Sequence, residues 1–383
     1  METLSDVEQL MKQNGGKYLL FEHGRPKMVV LDPGKYKQFL VTDPGKEKIL
    51  VTGGAGYIGS HTVFELIERG HDVVVLDNLS SGYLRNVPCP LIVGDVADPL
   101  VLDHLFEEHK ISAVIHFAGS IIVEESVLNP EKYFDNNLLA SINLIKAMIR
   151  HGVKKIVYSS SAAVYGDPKY VPIDENHDCH PVNPYGETKL MFEKVLKWQE
   201  QAVGLSSVIF RYFNAAGACP EKNLGEAHPV ETHLIPRLLK VANREEESVK
   251  VFGTDYPTLD GTAVRDFIHV KDLAAAHALA VDKLEAESGC FTYNLGTGVG
   301  HTVSQVVDAA MEATNKMIPI VTAQRRPGDP PILVADPKKA RAELGFEPKY
   351  STLAEIIKDA WAWHNLRFGS SVTVPKVKSA NQE

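Results

Sequence analysis

The run Lys48-Ile49-Leu50-Val51-Thr52-Gly53-Gly54-Ala55-Gly56-Tyr57-Ile58-Gly59 constrains this chain more than any other stretch. Its first five residues, apolar and β-branched, suit a strand buried on both faces. Gly53, Gly56 and Gly59 follow at once and open a helical pattern over His61 to Arg69. Glycines so placed permit a tight turn, close approach of the backbone to a pyrophosphate and close helix packing, while the first helical N–H groups face the phosphates. Gly53, Gly56, Tyr57, Ile58 and Gly59 are therefore expected around a dinucleotide. Asp77 ends the next strand-like run, where a carboxylate accepts hydrogen bonds from an adenosine ribose and repels a 2′-phosphate, which favours NAD over NADP. Gly94-Asp95-Val96 and His116-Phe117-Ala118-Gly119 close two further runs. At a shared sheet edge, Asp95, Val96, Phe117, Ala118 and Gly119 would flank adenine and the diphosphate.

Apolar runs at Asp72 to Leu76, Leu91 to Val93, Ala113 to Phe117, Lys155 to Ser159 and Ser206 to Phe210 alternate with helical patterns. This predicts an α/β fold, a doubly wound parallel-sheet Rossmann domain. After Asn214 the pattern turns irregular and richer in Pro and Gly, apart from a helical Val270 to Leu284, as expected of a smaller mixed α/β lobe. A length of 383 residues exceeds what one core usually serves. The expected division is 1–44 as an N-terminal appendage, 47–213 plus 263–289 as the dinucleotide domain, 214–262 plus 290–366 as the second lobe, and 367–383 as a tail. The appendage carries an amphipathic Val7 to Met11, the strand-like Lys17 to Phe21, a turn at Gly24 and Met28 to Leu31, and Asp43-Pro44-Gly45-Lys46 links it to the main fold.

Acidic residues outnumber basic ones 49 to 40, a formal charge of −9, and no block of Lys or Arg supplies the footprint that a phosphate backbone needs. Nucleic acid is not an expected partner. The first residues lack the basic and apolar regions of a secretory signal, and no run of eighteen apolar residues occurs, so neither secretion nor a membrane is expected. Cys89, Cys179, Cys219 and Cys290 are scattered with no CxxC pair, which speaks against a zinc site and against a disulfide framework and fits a reducing cytoplasm. No metal site is expected.

Two Tyr-x-x-x-Lys spacings occur, Tyr165 with Lys169 and Tyr185 with Lys189. Pro168 interrupts the first and predicts a loop. Pro184 suits the first position of a helix for the second, which puts Tyr185 and Lys189 on one face, an ammonium beside a phenol. A free phenol has a pKa near ~10, so a base working at neutrality needs a fall of roughly three units, or ~4 kcal/mol. An ammonium about 4 Å away at an effective dielectric of 20 supplies ~4 kcal/mol, and an oxidised nicotinamide adds further positive charge. Upstream, Ser159-Ser160-Ser161 ends a strand in three hydroxyls, any of which can pass a proton.

These residues resemble the extended short-chain dehydrogenase/reductase family and, within it, its UDP-hexose 4-epimerases, over nearly all of residues 47 to 366. The similarity lies in Gly53 through His61, Leu76-Asp77-Asn78, Ser159 through Gly166, Pro184 through Lys189, Arg211-Tyr212-Phe213-Asn214, Val264 through Val270 and Arg326-Pro327-Gly328-Asp329. It implies bound NAD, with Asn78, Asn136, Lys189 and Tyr212 joining the cofactor residues above, and Ser161 as the proton-passing serine. It implies a UDP-sugar in the second lobe, touched by Ser161, Tyr185, Asn214, His233 and Leu234. Arg265 and Arg326 would bind its diphosphate, Asp329 its ribose and Phe252 its uracil, while the size of Leu333 would bear on an N-acetyl group. The implied chemistry begins with Tyr185 taking the 4-OH proton as hydride passes to NAD+. The 4-keto sugar then turns on its diphosphate tether and hydride returns to the opposite face. The resemblance also implies a homodimer.

Departures matter as well. Where some relatives carry a Lys beyond the Phe-Ala-Gly turn, this chain has Ser120-Ile121-Ile122, and Ala162-Ala163 follow Ser161 where the related 4,6-dehydratases carry an acid pair. Residues 21–31 faintly resemble antitoxin segments of the Phd/YefM type. UDP-GlcNAc, UDP-glucuronate or UDP-xylose as the sugar, and a non-catalytic NAD sensor, stay open as alternatives.

Overall fold

A computed structural model of the chain describes residues 46–326 and 329–368, and the strands at 17–22 and 25–31. The stretch Val7 to Met11, the turn at Gly24, most of the link at residues 43–45, and the tail beyond Phe368 lie outside the described residues. Among the described residues, no helix is long and apolar enough to cross a membrane.

The Rossmann sheet is built from β3 (Lys48–Thr52), β4 (Asp72–Asp77), β5 (Leu91–Val93), β6 (Ile111–His116), β7 (Lys155–Ser161), β8 (Ser206–Tyr212) and β14 (Cys290–Leu295), all parallel, in the order β14-β8-β7-β6-β3-β4-β5. The expected strands are all present. Residues 290–295, expected in the second lobe, instead close this sheet against β8. The N-terminal segment is likewise no detached appendage: β1 (Lys17–Glu22) runs parallel to β5 and pairs antiparallel with β2 (Arg25–Leu31), which extends the same sheet by two strands.

Continuously apolar strands need cover on both faces, and period-two geometry divides their side chains between two cores. Ile49, Val51, Val73, Val75, Ile115, Val157 and Phe210 face α1 (Tyr57–Glu68) and α7 (Val270–Ala286), with Val63, Leu66, Leu273 and Val281 packed on them. Leu50, Val74, Leu76, Val114, Ile156 and Ile209 face the other way. They meet Leu102 and Leu105 of α2 (Pro99–Glu108), Leu144 and Met148 of α4 (Ala140–Arg150), and Phe192 and Leu196 of α5 (Pro184–Val203). Each such fully buried aliphatic side chain contributes about 1.5–3 kcal/mol. Between β6 and α4 the chain passes through the short α3 (Val123–Leu128), one turn at Pro130–Tyr133 and a π-wound turn, Phe134–Leu139.

The second lobe holds β9 (Asn214–Ala216), β10 (Ala218–Cys219) with β11 (Leu224–Gly225), α6 (Leu234–Ala242), β12 (Val249–Phe252), β13 (Val264–His269), β15 (Gly300–Thr302), α8 (Val303–Thr314), β16 (Ile320–Ala323) and β17 (Ile332–Leu333). After it, α9 (Lys338–Leu344) packs Ala340 and Leu344 into the core of the Rossmann sheet, and α10 (Leu353–Phe368) returns to the second lobe. β13, expected with the Rossmann domain, pairs with β9, β15 and β17. Ile235, Leu238, Leu239, Val306, Val307, Ile356 and Ile357 form the core of this lobe.

One polar network sits deep between α5, β7 and β8. Arg211 Nη2 and Nε meet Glu193 Oε2 and Oε1 at 2.6 and 3.0 Å, and Ser160 Oγ donates to Glu193 Oε1 at 2.5 Å. The two charged side chains are only 4% and 1% exposed, so removing one partner strands a buried ion. Glu193→Ala is expected to lower stability by about 3–5 kcal/mol, whereas a Glu193→Leu/Arg211→Met double variant recovers most of that loss. Urea unfolding of both checks the pair, since equal midpoints for single and double variants would contradict it.

Candidate active site

The glycine turn forms where β3 meets α1. Gly53 has φ +71°, and a Cβ there would lie 2.7 Å from Ala118 N; a Cβ on Gly59 would run into the Gly53 carbonyl. Both positions therefore exclude larger residues. Gly56 caps α1 without any side-chain hydrogen bond, which leaves the first-turn N–H groups, those of Tyr57, Ile58 and Gly59 among them, to face an anion. Behind the turn, Ala55 N donates to Asp77 Oδ2 at 2.9 Å and Leu79 N to Oδ1 at 2.8 Å, and burial raises the Asp77 pKa. Asn78 Nδ2 donates to Asp95 Oδ2 at 2.9 Å, and Val96 is buried beside them.

At the end of β6, the Phe117 ring lies 4.6 Å from that of His277. Gly119 faces Asn137, whose Oδ1 accepts from Ser120 N at 2.7 Å and whose Nδ2 donates to Ser120 O at 3.0 Å. This two-bond clasp shapes the Ala118–Ser120 turn, and its residue escaped the sequence reading, which named the exposed neighbour Asn136. Asn136 Nδ2 reaches only the Ser120 hydroxyl, at 3.1 Å. An uncapped helix start, a cradle closed to any Cβ and a carboxylate at the adjacent strand end fit a dinucleotide.

Helix α5 starts as anticipated, with Pro184 in its first turn and Asn183 Oδ1 accepting from Gly186 N at 2.8 Å. Tyr185 is thereby set against the end of β7, where Ser161 hydrogen-bonds it and also accepts from Ala163 N at 3.1 Å. Lys189 lies one turn further on, buried, with Nζ donating to Ser159 O at 2.8 Å and standing 5.8 Å from the Tyr185 ring centre. Burial lowers the Lys189 pKa to about 8 against the pull of Glu193. Burial also raises the Tyr185 pKa, opposed by the Ser161 hydrogen bond. Desolvation thus opposes ionisation of the phenol in the chain itself, while the Lys189 ammonium and the positive charge of an oxidised nicotinamide would favour it. Tyr212, half-buried, hydrogen-bonds Ser159.

The other Tyr-x-x-x-Lys spacing is not a pair. Tyr165 is buried, donates to Asn294 Oδ1 at 2.6 Å and accepts from Arg211 Nη1 at 3.1 Å, while Lys169 pairs with exposed Asp178 at 2.6 Å. Without helix between them, the two side chains part.

On the second lobe, Asn214 lies in β9 beside Phe267 of β13, and His233 precedes Leu234, the first residue of α6. Arg265 forms an ion pair with Asp329 and donates from Nη1 to Val264 O at 2.7 Å. Arg326 stacks 4.1 Å over the Phe252 ring centre, and its Nε lies 3.0 Å from Glu124 Oε1 of α3. Glu124 is a contact no sequence signal announced. Leu333, opposite Arg265 in β17, packs against the cluster of Ala162, Val164, Tyr165, Ile173 and Leu190 that adjoins Ser161.

Comparison with known proteins agrees with this geometry. The model of the NAD dependent epimerase/dehydratase family matches residues 49–296. The UDP-glucose 4-epimerase of Halalkalibacterium halodurans is 49% identical over 82% of this chain and 95% of its own length. A crystal structure of UDP-glucose 4-epimerase from Brucella ovis in complex with NAD superimposes with a TM-score of 0.81 at 44% identity, covering 82% of this chain and 98% of that one. The enzyme from Bifidobacterium longum, in complex with NAD+ and UDP, gives 0.80 at 40% identity over 84% and 99%. A family match across most of the chain, joined to near-half identity with a relative covered almost end to end, leaves one assignment: the chain belongs to the NAD dependent epimerase/dehydratase family.

Proposed function

We propose that this chain interconverts UDP-glucose and UDP-galactose by inverting C4 of the sugar, with NAD held throughout. The observation that carries this reading is the convergence of Tyr185, Ser161 and Lys189 at the edge of the sheet that also bears the glycine turn. Relatives named UDP-glucose 4-epimerase across their full length support the substrate. When bound, NAD supplies the oxidant and returns the same electron pair.

The residues divide the work. Tyr185 receives the 4-OH proton, with Ser161 positioned to relay it. Lys189, still mostly protonated at neutral pH with a pKa of about 8, stabilises the phenolate as it forms. Gly53, Gly56, Tyr57, Ile58, Gly59, Asp77, Asn78, Asp95, Val96, Phe117, Ala118, Gly119, Asn136 and Tyr212 form the cofactor wall. Arg265 and Arg326, with Asn214 and the start of α6 at His233 and Leu234, anchor the diphosphate, while Asp329 and Phe252 face the nucleoside. The anchored nucleotide leaves the keto sugar free to turn beside Leu333. The proposed enzyme is a cytoplasmic homodimer, and the free thiols of Cys89, Cys179, Cys219 and Cys290 suit a reducing compartment.

Tyr185→Phe is expected to lower kcat by about 10²–10⁴-fold, because the phenol serves the transition state, with UDP affinity nearly unchanged. Turnover close to wild type in a coupled UDP-galactose assay would reject the assignment. Lys189→Met keeps the length and apolar burial of the side chain but removes the charge, and is expected to lower kcat by roughly 10²-fold at neutral pH. The loss shrinks as pH rises, which a pH–rate profile reads. Arg326→Ala is expected to raise KM by about 10-fold or more with little change in kcat. Arg265→Ala does so more strongly, since it also leaves Asp329 facing the phosphates without its partner. Unchanged UDP binding by calorimetry in both variants would move the clamp elsewhere.

A further inference from the structure

We infer that Glu226, His228, Glu231 and His233 bind one divalent ion of the zinc type, on a loop whose last ligand, His233, also borders the proposed diphosphate anchor. The four lie on the loop between β11 and α6, and one ligand atom from each falls within 4.8 Å of all the others. Glu226 Oε1 is 2.5 Å from His233 Nδ1 and 3.2 Å from His228 Nδ1. Glu231 Oε1 is 3.2 Å from His233 Nδ1, and its Oε2 is 3.6 Å from His228 Nδ1. Both imidazoles thus turn the same nitrogen toward the same two carboxylates. Zinc held at about 2.0–2.2 Å by nitrogen and oxygen in a tetrahedron sets its donors roughly 3.3 Å apart, in the middle of these separations.

Burial sharpens the argument. The Glu226 and Glu231 side chains are 5% and 2% exposed, far below what a solvated surface cluster shows. His228 Nδ1 is buried and faces Glu226 Oε1 at 3.2 Å and Glu231 Oε2 at 3.6 Å without a hydrogen bond to either, a gap that a shared ion would fill. Two carboxylates and two neutral imidazoles balance a dication, and a set of two nitrogens and two oxygens suits Zn2+ rather than a soft monovalent metal. The scattered cysteines are irrelevant to this site; its sequence signal is the spacing Glu-x-His-x-x-Glu-x-His.

The His228 ring stands 6.4 Å from that of Tyr57, the first residue of α1, whose hydroxyl donates to Gly217 O at 2.7 Å. The ion therefore fastens a loop of the second lobe behind the glycine turn. It stiffens that wall.

The full-length protein, stripped with a chelator and dialysed, is titrated calorimetrically with ZnCl2 near neutral pH, and zinc is counted after gel filtration. The expected result is one Zn2+ per chain, a higher Tm with the metal, and a tetrahedral visible spectrum on Co2+ substitution. His228→Asn and Glu231→Gln weaken uptake by at least about tenfold, with NAD content reporting that each variant folds. Absence of stoichiometric uptake by the wild type, or equal uptake by wild type and both variants, overturns the site and leaves a closed imidazolium–carboxylate cluster in its place. Neither result bears on Tyr185.

Discussion

The fold buries the ammonium of Lys189 and bonds it to a single main-chain oxygen, that of Ser159, and the geometry of the crevice follows from that bond. It locks the catalytic helix onto the end of β7, so that Tyr185, one turn earlier, meets Ser161. Desolvating an ammonium costs several kcal/mol and calls for a nearby anion. Glu193, one turn later, provides it, yet Glu193 is itself held by Arg211 and Ser160, and its pull on Lys189 is incomplete. The lysine pKa is left lowered, at about 8. Successive turns of one helix thus order the proposed base Tyr185, the Lys189 ammonium and its counter-ion Glu193.

Much of this was legible because it is local. The glycine turn, Asp77 at a strand end and the Pro184 helix start are short-range patterns whose physics acts within a few residues, and each lies where the pattern puts it. Pro168 separated the two Tyr-x-x-x-Lys spacings correctly for the same reason: a helix is needed for residues four apart to meet. The features missed are those that depend on distant segments. Glu193 with Arg211, Asn137 with Ser120, and Glu124 with Arg326 are pairs that only the folded chain defines. The same is true of β14 and β13, which pair outside the lobes to which sequence order gave residues 290–295 and 264–269: a strand's neighbour is chosen by topology.

The phenol shows where magnitude, not pattern, decided the outcome. An ammonium at about 4 Å is worth enough to ionise a tyrosine in a medium of effective dielectric 20. The folded site removes the solvent from the phenol as well as bringing the cation near, and the first effect is the larger.

The buried Tyr165 has a mechanical meaning beyond its failure as a catalytic pair. Its hydroxyl joins Arg211 to Asn294, Asn294 Nδ2 donates to Ile173 O, and Ile173 N donates to Val334 O, a continuous thread from the Rossmann sheet into the strand that carries Leu333. Lobes that open and shut on a hinge are joined by seams that few bonds cross. A seam bonded through its middle at Ile173 ties the second lobe to the Rossmann sheet at a buried point, not only along its rim.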